Sequence, residues 1–165
     1  MNTTQRIRGS LNKNNLKISS PVRTVAQDVQ EGRKKEKALL ELLARQGLVL
    51  KENRSDGDYS LWDFKDEKGN FYELKSCEVY RIESLEKTGL MIGYNKLKFA
   101  DDPENAGKRF RIYYQFPTGI YQYNYIPGAS SNFPKRDFTR EDRGRPETKL
   151  HSWIPIEKFT PICLI

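Results

Sequence analysis

Asp63, Glu73 and Lys75 are the residues whose types and spacing could do chemistry together. Glu73 and Lys75 stand in "FYELKSC", residues 71–77, a strand-like run in which side chains two apart share a face. "DYSLWDFK", residues 58–65, reads as a second strand, and "DEKGN" between the two as a turn. A three-residue loop Glu67-Lys68-Gly69, with Gly where φ must be positive, pairs Asp66 with Asn70, Lys65 with Phe71 and Asp63 with Glu73. Residues directly opposite in an antiparallel pair share a face. One hairpin therefore gathers Asp63, Glu73 and Lys75. Adjacent carboxylates repel, and a hard divalent cation relieves them; Mg²⁺ takes oxygen ligands and keeps waters. A metal-held water is a stronger nucleophile, and the ion stabilises charge growing on a phosphate. Lys75 would orient that water or neutralise the phosphorus centre.

Asp58 is the competing carboxylate. It sits in "SDGDYS", where a turn role is natural, and a bulged hairpin would favour it. Asp63, in "LWDF", has no turn to explain it, and a mid-strand carboxylate is costly when buried without a partner. The alternative for the whole set is a solvated outer face on which Glu73 and Lys75 form a surface ion pair.

The elements that must hold these residues follow from the neighbouring pattern. "VAQDVQEGRKKEKALLELLARQ", residues 25–46, carries Leu39, Leu42 and Leu43 at helical spacing; the helix is clearest over 33–46, and Gly47 suits its end. "LVLK" reads as a first strand. "RFRIYYQF" and "IYQYNYI" read as strands joined through "PTG". Their tyrosines alternate with polar residues, which suits a sheet with one packed face better than a base-stacking platform. Residues 80–100 read as partly helical. Residues 127–149, rich in Pro, Gly and charge, read as a long loop. There Arg136, Arg140, Arg143 and Arg145 either clamp phosphates or are screened by interleaved acids. Lys96 and Lys98 lie either along a phosphate backbone or on a solvated helix face.

Twenty-nine Lys and Arg against 22 Asp and Glu give a net charge of +7, which favours a polyanionic partner, nucleic acid first. Much of the excess lies in residues 1–24, a basic arm with Arg6 and Arg8 that either binds DNA or only solubilises; residues 25–165 read as one domain. Two cysteines, Cys77 and Cys163, without metal-knuckle spacing predict a reducing, intracellular compartment. The single histidine, His151, excludes a His-rich metal site and reads as structural. The N-terminal residues lack the apolar stretch of a signal peptide, and no apolar run is long enough to cross a membrane.

Asp63 followed by "ELK" at 73–75 resembles the PD-(D/E)xK signature of the restriction-endonuclease-like nucleases. The order of helix, strand, motif-bearing hairpin, helix and strand is similar to that family's core. Residues 33–165 resemble small nuclease-like proteins of phages and large DNA viruses. The resemblance implies an α/β fold, a mixed central β-sheet flanked by helices. It implies a DNA endonuclease dependent on Mg²⁺, or on Mn²⁺, with Asp63 and Glu73 as metal ligands and Lys75 assisting the water. It offers Glu36, near the start of the first helix, as a further acid reaching the site, and by analogy a homodimer cutting both strands. The substrate stays open among a specific duplex site, as for a restriction or homing enzyme, a four-way junction and a flap. One departure is Cys77, where such proteins often carry Arg.

Overall fold

The computed structural model describes residues 25–53, 61–141 and 144–164. The arm with Arg6 and Arg8, Asp58 and Arg143 lie outside these.

Helix α1, Val25–Arg45, forms because Leu39 and Leu43 repeat at i, i+4 and can be buried together. It continues N-terminally through Gly32, further than the clear apolar stripe. Its end is set by Gly47 at φ +92°, whose N–H donates to Ala44 O (3.0 Å) while Leu48 N–H donates to Leu43 O (2.9 Å). These two bonds satisfy carbonyls the last turn would otherwise leave open.

A six-stranded mixed sheet follows, in spatial order β1 (Lys51–Glu52), β2 (Phe64–Lys65), β3 (Phe71–Ser76), β5 (Phe110–Phe116), β6 (Gly119–Tyr125) and β9 (Thr160–Leu164). β3 and β5 run parallel; the other neighbours are antiparallel. The expected "LVLK" strand shrinks to its last residue plus Glu52, because Leu48 and Leu50 pack against the α1 side of the core instead of pairing. Between β3 and β5 the chain makes a short 3-10 turn, strand β4 (Leu90–Gly93) and helix α2 (Tyr94–Asp101).

Alternation gives the sheet two interiors. Phe64, Tyr72, Leu74, Tyr113 and Ile120 meet Leu39 and Leu43 of α1. Phe71, Phe110, Ile112, Tyr114 and Tyr123 point the other way, onto Ile92, Leu97 and Ile154. The tyrosines at 113, 114, 121, 123 and 125 are thus core residues.

Residues 127–149 correct the expectation of a loop. They contribute β7 (Lys135–Arg140) and the start of β8 (Glu147–Ile154), which with β4 form a second, antiparallel sheet in the order β4-β8-β7. The outer part of the β7–β8 ribbon has solvent on both sides, so it needs no apolar alternation and carries none. The root of β8 is anchored on β4 through Ile92–Ser152 and Leu90–Ile154 pairing.

Over its two paired positions the hairpin register is the expected one: Lys65 pairs with Phe71 and Phe64 with Tyr72, with Gly69 at φ +80° in the turn. Of the strand expected over 58–65, the described residues form only Phe64–Lys65, and Asp63 lies in the bend before it rather than paired with Glu73. Asp66 fixes it. Its Oδ1 accepts from Lys68 N–H and Asn70 N–H, and its Oδ2 from Asn70 Nδ2 and the Tyr72 hydroxyl, all at 2.9 Å. Burial opposes the charge on Asp66, but these hydrogen bonds outweigh it and hold the carboxyl below its usual pKa. Stability from this clamp is therefore complete above the ordinary carboxylate pKa and is lost as pH falls through the depressed value. Asp66→Ala should cost about 2 kcal/mol, the scale of hydrogen bonds to a charged group, as a lowered urea midpoint at neutral pH. An unchanged midpoint would show that the turn does not depend on the clamp.

Candidate functional site: a carboxylate pair with two lysines

The register places Glu73 on the sheet face turned away from α1, and Asp63, in the bend before β2, meets it there. Glu73 is 3% exposed, in the middle of β3, where it pairs with Ile112 of β5 and Lys75 pairs with Tyr114. A carboxylate so deeply placed needs partners. It has two: Lys75 Nζ lies 3.4 Å from Oε1, and Lys96 Nζ lies 2.9 Å from Oε2. The first comes from the same strand two residues on; the second comes from α2.

Lys96 is held as firmly as Glu73. Its ammonium also donates to Leu61 O and lies 4.0 Å from Asp63 Oδ1. Its carbonyl accepts from Trp62 Nε1 at 3.1 Å, and Trp62 is fully buried 5.1 Å from the Phe110 ring. Asn53 completes the lock, its Nδ2 donating to Trp62 O (3.0 Å) and its N–H to Asp63 O (2.9 Å). The bend at residues 61–63 thus ties the first turn of α2 to the hairpin. Behind the site the Tyr114 hydroxyl donates to Met91 O, joining β5 to β4.

Asp63 is the more open carboxylate, at 37% exposure. Its pKa is pushed up to about 7, first by burial, then by the charge of Glu73, and further by a hydrogen bond between the two carboxyls; Lys96 and Lys75 pull the other way. Asp63 therefore keeps its proton up to near neutrality. Such a pair offers oxygen ligands to a divalent cation, and the proton is that cation's competitor.

Glu36 lies on α1 one turn before Leu39 and does not form a three-carboxylate group with Asp63 and Glu73. Among the described residues no group of three or more Asp, Glu, His or Cys side chains is placed to hold a metal ion. Two carboxylates suit Mg²⁺ that keeps several waters, and do not make an all-protein cage. Lys98 is exposed on α2, and Arg145 is exposed in the β7–β8 turn. Lys96, expected on a phosphate-contacting or solvated helix face, instead turns its ammonium onto the carboxylates. Nothing local in the sequence marked that role, because the partners are 23 residues apart and meet only through α2 packing.

His151 stacks edge-on with Phe138 (5.7 Å), and its Nδ1 lies 2.9 Å from Lys149 O; neither contact involves the carboxylates. Cys77 is half-buried, and burial pushes its thiol pKa up, which leaves no reactive thiolate near Lys75. On the outer face of the second sheet, Arg136 stacks over the Trp153 ring at 4.4 Å, in a row with Phe138 and Arg140. No helix among the described residues is long and apolar enough to cross a membrane. Comparisons with protein-family models, with curated proteins and with solved structures find no match to this chain.

The raised Asp63 pKa has a fixed sign in stability. The fold binds this proton more tightly than the unfolded chain does, so stability falls as pH rises from about 4 to about 7 and levels off above. Asp63→Asn should therefore raise Tm relative to the parent, by an increment that grows across that window and is flat beyond it. Thermal unfolding from pH 4 to 9 reads this directly; an increment independent of pH would mean that the two carboxylates do not interact.

Proposed function

We propose that this chain is a metal-dependent DNA endonuclease of restriction-endonuclease-like architecture, hydrolysing phosphodiester bonds with Mg²⁺ or Mn²⁺. One observation carries the reading: Asp63 and Glu73 meet side by side on one face of the hairpin, with Lys75 on Glu73. Carboxylates are rarely set against each other for stability's sake, since each disfavours the other's ionisation. The arrangement supports a function that uses the strain.

In this reading Asp63 and Glu73 hold the cation, which supplies charge neutralisation at the phosphate and a more acidic water. Lys75, 30% exposed and 3.4 Å from Glu73, is placed to donate to the attacking water or to a phosphate oxygen. The water oxygen would form the new bond to phosphorus and give up a proton to solvent, the bond from phosphorus to one ester oxygen would break, and a proton from solvent would reach the departing oxygen. The net charge of +7 and the row Arg136, Arg140 and Lys149 on the exposed ribbon favour a polyanionic substrate. With one site per chain, cutting both strands of a duplex would take two chains.

A second reading has an observation in its favour. Both Glu73 oxygens already meet an ammonium, and no third ligand side chain joins the pair among the described residues. A non-catalytic nucleic-acid-binding module of the same fold would need no more than this. Cleavage separates the two. With Mg²⁺ or Mn²⁺ the parent should nick or cut at least one of duplex, four-way-junction or flap DNA, and Glu73→Gln or Lys75→Ala should lower the rate by about 100-fold or more while far-UV CD stays native. If all these DNA forms stay intact with either metal, the module reading takes its place.

A further inference from the structure

Lys96 lies within ion-pair range of both carboxylates. Its Nζ lies 2.9 Å from Glu73 Oε2 and 4.0 Å from Asp63 Oδ1. Lys75 approaches the other oxygen, Oε1, at 3.4 Å, and makes no ion pair with Asp63 within the same range among the described contacts. The two lysines are therefore not equivalent. Lys75 pairs with Glu73 alone, whereas Lys96 lies in ion-pair range of both and bridges them electrostatically.

The bridge is built rather than incidental. The Lys96 side chain is 18% exposed, its ammonium has a third partner in Leu61 O, and its backbone is pinned by Trp62 while its neighbour Leu97 is fully buried. A flexible surface lysine would not be held at three points.

A divalent cation shared by Asp63 and Glu73 would need the same oxygens at about 2.0–2.1 Å. Two cations cannot both sit between one pair of carboxylates without strong repulsion in a partly buried setting. We propose that the Lys96 ammonium is the resident counter-ion of the Asp63–Glu73 pair, and that it and a divalent cation exclude each other there. Lys96 is then a positioning residue. It keeps the carboxylates together without metal, sets the metal affinity, and is freed from them when metal binds. This inference rests on the metal-site reading above and goes beyond it, because it assigns Lys96 a role that opposes metal binding rather than one that contacts DNA.

The test is Mn²⁺ binding without DNA, followed by electron paramagnetic resonance on the full chain, for the parent, Lys96→Met, Lys96→Arg and Lys75→Met. Lys96→Met should bind Mn²⁺ about tenfold more tightly, a coupling of ordinary size between two mutually exclusive ligands, and should gain more than Lys75→Met. Lys96→Arg, which keeps the charge, should stay near the parent. Equal or weaker binding by Lys96→Met, or a gain no greater than that of Lys75→Met, overturns the proposal. A second readout needs no variant: reductive methylation of the parent with mass-spectrometric mapping. Lys96 should be protected without Mn²⁺ and modified with it; protection that is unchanged or increased by Mn²⁺ overturns the proposal even if Lys96→Met does not fold. A parent that binds no Mn²⁺ at all sinks the metal-site reading itself, a different outcome from binding that ignores Lys96.

Discussion

Glu73 carries its charge in the middle of a mixed sheet, on the face that also packs Phe71, Phe110, Ile112 and Tyr114. A lone carboxylate at 3% exposure would cost several kcal/mol or be forced to take up a proton. Most of the surrounding structure can be understood as the means of avoiding that. Lys75 reaches it along its own strand at no topological cost. Lys96 reaches it only because the β3–β5 crossover leads through β4 into α2 and aims the first turn of that helix at the hairpin. The Trp62–Lys96 hydrogen bond and the Tyr114–Met91 hydrogen bond hold that crossover on the sheet from its two sides. Removing one ammonium would leave a buried charge short of a partner, which is why the crossover and the carboxylate stand or fall together.

Asp63 then adds a difficulty that a purely structural ion pair would avoid. Its charge faces Glu73, and the fold answers by holding a proton near neutrality rather than by moving the two apart. The Asp66 clamp is what denies the hairpin that escape, since a slip of one residue would send Asp63 to the α1 face. Strain kept in place by a dedicated turn is better explained by use than by accident.

The hairpin was legible in the sequence because its information is local. Gly69, Asp66 and the alternation in "FYELKSC" specify turn, register and face without reference to the rest of the chain. The leucine stripe of α1 and the Tyr-rich pair β5–β6 were legible for the same reason. Lys96 was not, because its role depends on where a distant helix packs. The β7–β8 ribbon was hidden for the opposite reason. With solvent on both faces it leaves no periodic apolar trace, and it is held by backbone pairing to β4 that composition does not reveal. Glu36 shows the limit of positional analogy. A matching place in the order of elements did not make it the third member of a carboxylate group with Asp63 and Glu73.

The central claim is that Asp63 and Glu73 together form a divalent-cation site. Anomalous diffraction from crystals soaked in Mn²⁺ tests it most directly. The account predicts a manganese peak bridging the two carboxylates, with the Lys96 ammonium withdrawn from Glu73. A map with no peak at saturating Mn²⁺, and with Lys96 still on Glu73, would contradict it and leave the four side chains as a structural ion-pair network.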